Sequence, residues 1–442
     1  SAVTLALAAR AFGPEHVHAF LLPYATSSEE SRTHGRLSCQ AVGVEPRDPS
    51  APVGAPFQPR IHLKTFGCKA NQYDTERMRD EVEARGWRVV DDPESASVVI
   101  LNTCTVTARA DAEARSWVRR VRREGAQVVV AGCSPARETA PFRELGAAVH
   151  PGHDPVAVAE LASTVIGARG EENPPGLVQL APRSLPAAPA HLALRTQGVR
   201  GWLKVQDGCD RKCSFCATRL ARGASRSRGV DEVIREARTL ASNHPELVVT
   251  GIHIGHWGRD LAPRSTLAAL VAALLRAVPG VRFRLGSIEA TEVDDPLLHL
   301  LARGCEGEEG EGGGVAPHLH MPLQSGSDRV LRAMRRWHTR DDYRRRALEM
   351  AEALAARGPT TLDGGPVLGL GADIITGFPG ETDADHRDTV RLVEELPFTY
   401  LHVFPFSPRE GTAAAELARE MPVPQRVAAE RARELRELGV AK

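Results

Sequence analysis

The stretch that most constrains this chain is Cys209-Asp-Arg-Lys-Cys213-Ser-Phe-Cys216. Its Cys-x3-Cys-x2-Cys spacing puts three thiols on one short loop, with Phe215 just before the last of them. Thiolates are soft ligands that suit iron–sulfur clusters, and a cubane cluster held by protein alone takes four of them. Three thiolates therefore hold three irons and leave the fourth open to a cofactor or substrate. The competing readings are a zinc site, which wants a fourth ligand at regular spacing, or three unrelated core thiols.

Three more cysteines share a local context. The apolar pattern predicts strands at Arg60–Thr65, Ser97–Leu101 and Gln127–Ala131, and each is followed within a few residues by a cysteine: Cys68, Cys104 and Cys133. Helices are expected between them, over Tyr73–Arg85, with Met78 and Val82 on one face, and over Ala108–Arg123. A final strand and helix are expected within Leu145–Ile166. Alternating strands and helices imply a parallel sheet, and the functional edge of such a sheet is at the strand C-termini. Three cysteines just past three strand ends can converge there on one metal site. The alternative is three structural thiols, each packed in its own loop.

From Gly201 onward the pattern repeats. Strands are predicted at Gly201–Gln206, Leu247–Gly251, Arg282–Ser287, His318–Leu323, Gly369–Thr376 and Tyr400–Phe404, with helices between them. Six such units make a partial TIM-type barrel whose chemistry belongs at the strand C-terminal ends. Gly251 and Gly377 fall at those ends, where glycine lets the backbone approach a ligand closely, or simply makes a turn. Glu289 is either a ligand-binding carboxylate or a solvated charge.

Lys+Arg equals Asp+Glu at 56 each, so any case for nucleic acid must be local. Between Arg195 and Arg228 lie seven arginines and two lysines against two aspartates, a basic patch suited to a phosphate backbone. Eight cysteines in 442 residues, six of them in sets of three, indicate a metalloprotein in a reducing compartment. Cys39 and Cys305 read as lone thiols. No apolar run approaches the roughly 18 residues of a membrane span, and the start lacks the features of a signal peptide, so a cytoplasmic location and no membrane partner are expected. Residues 45–59 and 169–198 have linker composition, and Glu306–Gly314 reads as an acidic surface insertion.

Taken together, these stretches resemble the radical S-adenosylmethionine (SAM) methylthiotransferase family. The Cys209–Cys216 loop is similar to the superfamily signature, in which SAM chelates the open iron. Thr65-Phe-Gly-Cys-Lys-Ala-Asn-Gln-Tyr-Asp-Thr-Glu76, Asn102-Thr-Cys-Thr-Val-Thr107 and Ala131-Gly-Cys133 resemble the family's N-terminal domain. The Gly67-Cys-Lys-Ala-Asn-Gln-Tyr73 run most resembles its threonylcarbamoyladenosine tRNA branch.

The resemblance implies an α/β protein: a flavodoxin-like parallel-sheet domain over 60–168, a partial (βα)6 barrel over 199–412 and a helical tail over 413–442. It implies two [4Fe-4S] clusters, one on Cys68, Cys104 and Cys133, the other on the catalytic Cys209, Cys213 and Cys216. Phe215, Gly251, Ser287, Glu289, Gln324, Asp373 and Gly377 are the implied cofactor contacts, and Arg222, Arg226 and Arg228 the implied RNA contacts. The implied reaction starts with radical cleavage of SAM and loss of hydrogen from carbon 2 of N6-threonylcarbamoyladenosine beside the tRNA anticodon. The second cluster supplies sulfur and another SAM the methyl group. The implied partners are tRNA and an electron donor such as flavodoxin or ferredoxin.

Alternatives are methylthiolation of isopentenyladenosine in tRNA or of a ribosomal protein aspartate, and a non-catalytic iron–sulfur RNA-binding protein. The family's small RNA-binding β-barrel is expected to be absent, since this sequence ends before it, and Ala217-Thr218 replaces a usual bulky pair and proline. Residues 1–44 resemble the interior of an NAD synthetase, without its phosphate loop. Residues 1–59 are accordingly read as a remnant and linker, with no activity carried over.

Overall fold

Val98-Val-Ile-Leu-Asn-Thr103 is almost wholly apolar, as a central strand covered on both faces requires, and all six of its residues are buried. It anchors the first sheet of the chain, for which a computed structural model describes residues 58–168, 199–303, 313–355, 369–442 and a few positions between 19 and 47. The sheet's strands are β1 (Arg60–Thr65), β2 (Arg88–Val89), β3 (Val98–Thr103), β4 (Gln127–Gly132) and β5 (Ala148–Val149). They are all parallel and lie in the order β2-β1-β3-β4-β5. That is the flavodoxin-like order, in which ligands gather where the strand order reverses, between β1 and β3.

Helix α1 (Lys69–Ala84) follows β1. It starts four residues before the predicted Tyr73, with Cys68 at its N-cap. Helix α2 (Ala108–Arg123) follows β3, with the Thr107 hydroxyl accepting from the Ala110 amide at its start.

The barrel strands are β6 (Arg200–Lys204), β7 (Glu246–Thr250), β8 (Arg282–Leu285), β9 (His318–His320), β10 (Gly369–Thr376) and β11 (Tyr400–Pro405). Parallel ladders run β6-β7-β8 and β9-β10-β11. A bridge between Ser287 and His320 joins the two arcs, with the Ile288 amide donating to the His320 carbonyl at 3.0 Å. Neighbours in sequence are thus neighbours in space, and among the described residues no ladder pairs β11 back to β6. Leu203, Val249, Leu285, Leu319, Leu370, Ile374 and Val403 pack with the surrounding helices into one core. The expected helical tail over 413–442 is two helices, Ala413–Glu420 and Gln425–Ala441, separated near Pro422 and Pro424.

The chain divides into two units, Ser1–Pro59 with Thr164–Ser184, and Arg60–Ser163 with Leu185–Lys442. The second unit contains both the sheet domain and the barrel. In the first, Ala19–Phe20 and Pro46–Arg47 pair as parallel strands; a strand within residues 45–59 departs from the expected linker. Residues 169–198, Cys305 and most of the acidic insertion lie outside the described residues.

Candidate active site

The sheet-domain cysteines come together because three loops are packed too closely for most side chains. Gly67 has φ +97°, and a Cβ there would lie 2.6 Å from Cys104 Sγ. Gly132 has φ +103°, and its Cβ would lie 2.5 Å from the Thr103 backbone. Both conformations favour glycine.

Asn71, fully buried, ties the loops together. Its Nδ2 donates to the carbonyls of Phe66 at 2.7 Å and Thr103 at 2.9 Å, and its Oδ1 lies 3.8 Å from Cys133 Sγ. Cys104 and Cys133 are buried while Cys68 is exposed. Burial pushes the Cys104 thiol up to about 11 and the Cys133 thiol up to about 12. At neutral pH such thiols keep their protons unless a metal cation displaces them. Three soft donors on one sheet edge fit three irons of a cluster.

The barrel cysteines are held differently. Gly208, just before Cys209, has φ +68° and lies against the Ala224 carbonyl, 1.9 Å from where a Cβ would be. The Cys209 amide donates to the Gly223 carbonyl at 3.0 Å, and the Ser214 amide to that of Met334 at 3.0 Å. Cys209 Sγ lies 3.2 Å from His253 Nδ1. His253 Nε2 lies 2.6 Å from Glu292 Oε2, and Arg211 donates to Glu292 Oε1 at 2.8 Å. Burial alone would lower the His253 imidazole, but its contacts with Cys209 and Glu292 raise it to about 9.

Cys213 Sγ lies 3.6 Å from Arg336 Nη1, yet burial still pushes this thiol up to about 11. The guanidinium groups of Arg211 and Arg336 lie 3.8 Å and 4.3 Å from the Trp337 ring centroid. These thiols also fit three irons. Sequence reasoning missed the companions Arg336, Glu292 and Arg211. His253 lies two residues past the candidate Gly251, but Arg336 lies 123 positions from Cys213 with no local pattern to mark it.

The implied cofactor contacts separate into groups. Phe215, Gln324 and Asp373 meet in a cavity of about 140 Å³ that is also lined by Val106, Thr107, Ile375, Phe404 and Phe406. Val106 lies two residues past Cys104 and Phe215 just before Cys216, so this cavity touches both thiol-bearing loops. Gln324 holds φ +72°, a backbone state uncommon outside glycine, fixed by hydrogen bonds to β10 through the Asp373 carbonyl and the Ile375 amide.

Gly251 packs against Gln206, 2.7 Å from its carbonyl at the Cβ position. Ser287 is exposed. Glu289 is buried and ion-paired to Arg336, which corrects the solvated-charge alternative. At Gly377 the close approach is by Ala428, 2.3 Å from a built Cβ, and its amide donates to Glu381 at 2.6 Å. Its surroundings are therefore the C-terminal helix and an acidic side chain, not open space for a cofactor.

The implied RNA contacts also divide. The Arg222 side chain is fully buried. It bonds Asp207 at 2.9 Å, Asp74 at 2.7 Å and Asn71 at 2.6 Å, so it has no free face for a phosphate and instead joins the sheet domain to the barrel. Lys204 reinforces this link at 2.7 Å from both Asp74 and Asp207. Burial would raise the Asp207 carboxyl, but Lys204 and Arg222 overcome it and hold it well below the usual carboxylate range. Arg228 is engaged by Glu232 and Glu236. Of the three, Arg226 is exposed and has no carboxylate partner among the described residues.

Residues 60–150 match the Uncharacterized protein family UPF0004, and residues 203–393 match the Radical SAM superfamily. The chain is 34% identical over 363 residues to the threonylcarbamoyladenosine tRNA methylthiotransferase MtaB of Bacillus subtilis, covering 81% of this chain and 75% of that one. It is 31% identical to the protein of the same name from Aquifex aeolicus, covering 86% and 87%. To the tRNA-2-methylthio-N(6)-dimethylallyladenosine synthase of Erythrobacter litoralis it is 32% identical, covering 81% and 78%. Among solved structures, the radical SAM methyltransferase TsrM of Kitasatospora setae, with cobalamin and a [4Fe-4S] cluster bound, superposes with a TM-score of 0.54. That match is at 18% identity and covers 82% of this chain and 78% of the other; it supports the fold alone.

Proposed function

We propose a substrate and a division of labour on one premise: this chain belongs to the radical SAM methylthiotransferase family. The reaction is methylthiolation of tRNA, and the substrate we assign is N6-threonylcarbamoyladenosine beside the anticodon. One observation carries the reading. The loops that carry two separate sets of three thiols border one cavity, lined by Val106 and Thr107 on one side and Phe215 on the other. A reaction that needs a radical source and a sulfur source at one carbon requires that arrangement.

In this reading Cys209, Cys213 and Cys216 would hold one [4Fe-4S] cluster with SAM on its open iron, and Cys68, Cys104 and Cys133 the other. When bound, these groups supply hydrogen abstraction, sulfur and a methyl group, the chemistry that cofactors carry while the protein orients them. The chain's own residues do the positioning. Asn71 fixes the spacing of the sheet-domain loops, while His253, in the loop after β7, and Arg336, in the segment before the helix Arg340–Ala355, hold the barrel loop. Phe215, Ile375, Phe404 and Phe406 give the cavity apolar walls that exclude water. Arg226 is the assigned phosphate contact.

A small iron–sulfur or flavin protein such as ferredoxin or flavodoxin would supply electrons, in the cytoplasm where tRNA is. None of the described helices is long and apolar enough to cross a membrane.

The test is mass spectrometry of tRNA nucleosides from cells with and without the gene. Loss of 2-methylthio-threonylcarbamoyladenosine on deletion is expected. Loss of the isopentenyl methylthio nucleoside instead would overturn the substrate but keep the chemistry, and no change in any methylthio nucleoside would overturn the reading.

A further inference from the structure

One side of the C-terminal half of the barrel is polar where a parallel barrel is usually filled by branched apolar side chains. Along β10, Leu370, Ala372 and Ile374 are buried in the helix-packed core, so Gly371, Asp373 and Ile375 face the other way. The β11 residues paired with them are Tyr400, His402 and Phe404. Phe404 and Ile375 line the cavity already described, as does Asp373. The surface therefore grades from apolar at the strand ends to polar deeper in.

The polar part is a connected cluster. His320 Nε2 and His402 Nδ1 lie 3.0 Å and 3.4 Å from the same oxygen of Asp373. The Tyr400 hydroxyl lies 3.1 Å from His320 Nδ1 and 2.9 Å from His318 Nε2. The Tyr400 ring crosses Gly371 so closely that a Cβ there would be 2.0 Å from the ring. That leaves no room for any other residue at 371. The His402 side chain is 55% exposed and Phe404 is 42% exposed, so the cluster is open on the cavity side.

Burying this much hydrogen-bonding capacity is costly unless it is satisfied. Positive charge also gathers nearby. Glu246 is one carboxylate shared by Arg200, Arg282 and Arg284. Lys69 lies within electrostatic reach of Arg284, His318 and His402 and has no ion-pair partner among the described residues.

We propose that the His320–Asp373–His402 cluster, with Tyr400 and the cations around it, receives the substituent on the target base and selects one bearing a carboxylate over an apolar one. The base itself lies against Phe404, since every base offers a π-face for stacking. This rests on the reading of the chain as a tRNA methylthiotransferase and adds the residues that choose the substrate. A site built to hydrogen-bond its ligand rejects analogues that leave its buried groups unpaired.

The test uses the full chain, anaerobically reconstituted. Its binding to anticodon stem-loop RNAs is measured by fluorescence anisotropy, the RNAs differing only at the target adenosine. They carry N6-threonylcarbamoyl, its neutral methyl ester, N6-isopentenyl, or no substituent. The wild-type chain is expected to prefer the free carboxylate over the ester and the isopentenyl loop by about tenfold or more. His402→Leu, and Tyr400→Phe, which removes one hydroxyl and keeps the ring over Gly371, are expected to shrink that ratio several-fold. They should weaken the unsubstituted loop far less, and KM for the carboxylate loop should rise more than kcat falls.

A wild-type chain that binds the ester as tightly as the acid would overturn the inference, as would variants that lower all four affinities equally. The two readings fail separately. If cells make the threonylcarbamoyl methylthio nucleoside but selectivity ignores the cluster, only this inference fails. If they do not make it, the proposed substrate fails as well.

Discussion

The two thiol sets of this protein are built on opposite principles. The barrel set is local: three cysteines span eight residues, and the loop that carries them is shaped by glycine turns and by His253, Arg336 and Met334 from later parts of the chain. The sheet set is dispersed: Cys68, Cys104 and Cys133 are brought together by β1, β3 and β4 and held in register by one buried amide, Asn71. A local set can keep its spacing while its surroundings change. A dispersed set has no spacing of its own apart from the sheet.

This contrast predicts that the two sets fail differently. Cys213→Ala should abolish SAM cleavage and all methylthio product, whereas Cys104→Ala should abolish product but leave SAM cleavage measurable. Each should roughly halve bound iron and sulfide, because a coordinating thiolate is lost from one cluster only. Loss of both clusters on either change would break the comparison.

Next in size is the buried link between the domains. Arg222→Met takes one of two cations from Asp74 and Asp207, leaving Lys204 alone between them, and should cost about 3 kcal/mol in denaturant unfolding. Arg226→Ala should leave unfolding unchanged and lower the salt slope of RNA binding by about 1. If Arg222→Met instead weakened RNA binding with no loss of stability, its assignment as a domain link would be wrong.

Asn71→Ala removes the donor to the Phe66 and Thr103 carbonyls and one of the three partners of Arg222 and should cost about 1–3 kcal/mol. It should lower iron in the sheet set while sparing the barrel set; equal loss from both would show that the sets are not independent.

The smallest effect is in pH. Burial, with Arg336 nearby, lowers His338 from 6.5 to about 4, and burial, with Arg284, lowers His318 likewise. The unfolded chain binds these protons first as the pH falls, so the stabilisation is complete above pH 6.5 and is lost towards pH 4. The barrel's unfolding free energy should therefore decline over that window, and His338→Gln should flatten the decline. A variant with the wild-type slope would place the titrating groups elsewhere.

Much of this was legible in the residues. Alternating apolar runs and helical segments located β10 to its ends at Gly369–Thr376 and α2 at Ala108–Arg123, because long, strongly patterned segments state their own period. Boundaries set by non-local contacts were not legible. The start of α1 at Lys69, two residues before Asn71, whose side chain bonds the Phe66 and Thr103 carbonyls, depends on loops that meet only in the folded sheet. Arg222 read as a free cation in a basic run, but the carboxylate of Asp74, 148 positions away, and that of Asp207 claim it. The cluster around Asp373 gave no sequence signal either, since His320, Asp373 and His402 sit on three strands with helices between them.

The sequence by itself determined that six cysteines form two sets, that parallel strands present them and that the sheet and barrel come in that order, because periodicity and local spacing are properties of the covalent chain. Only the tertiary structure decided which charges are neutralised, which glycines face packing partners and which polar side chains share one cavity. Those depend on distances through space between residues far apart in the chain, and burial there changes both the charge state and the availability of each group.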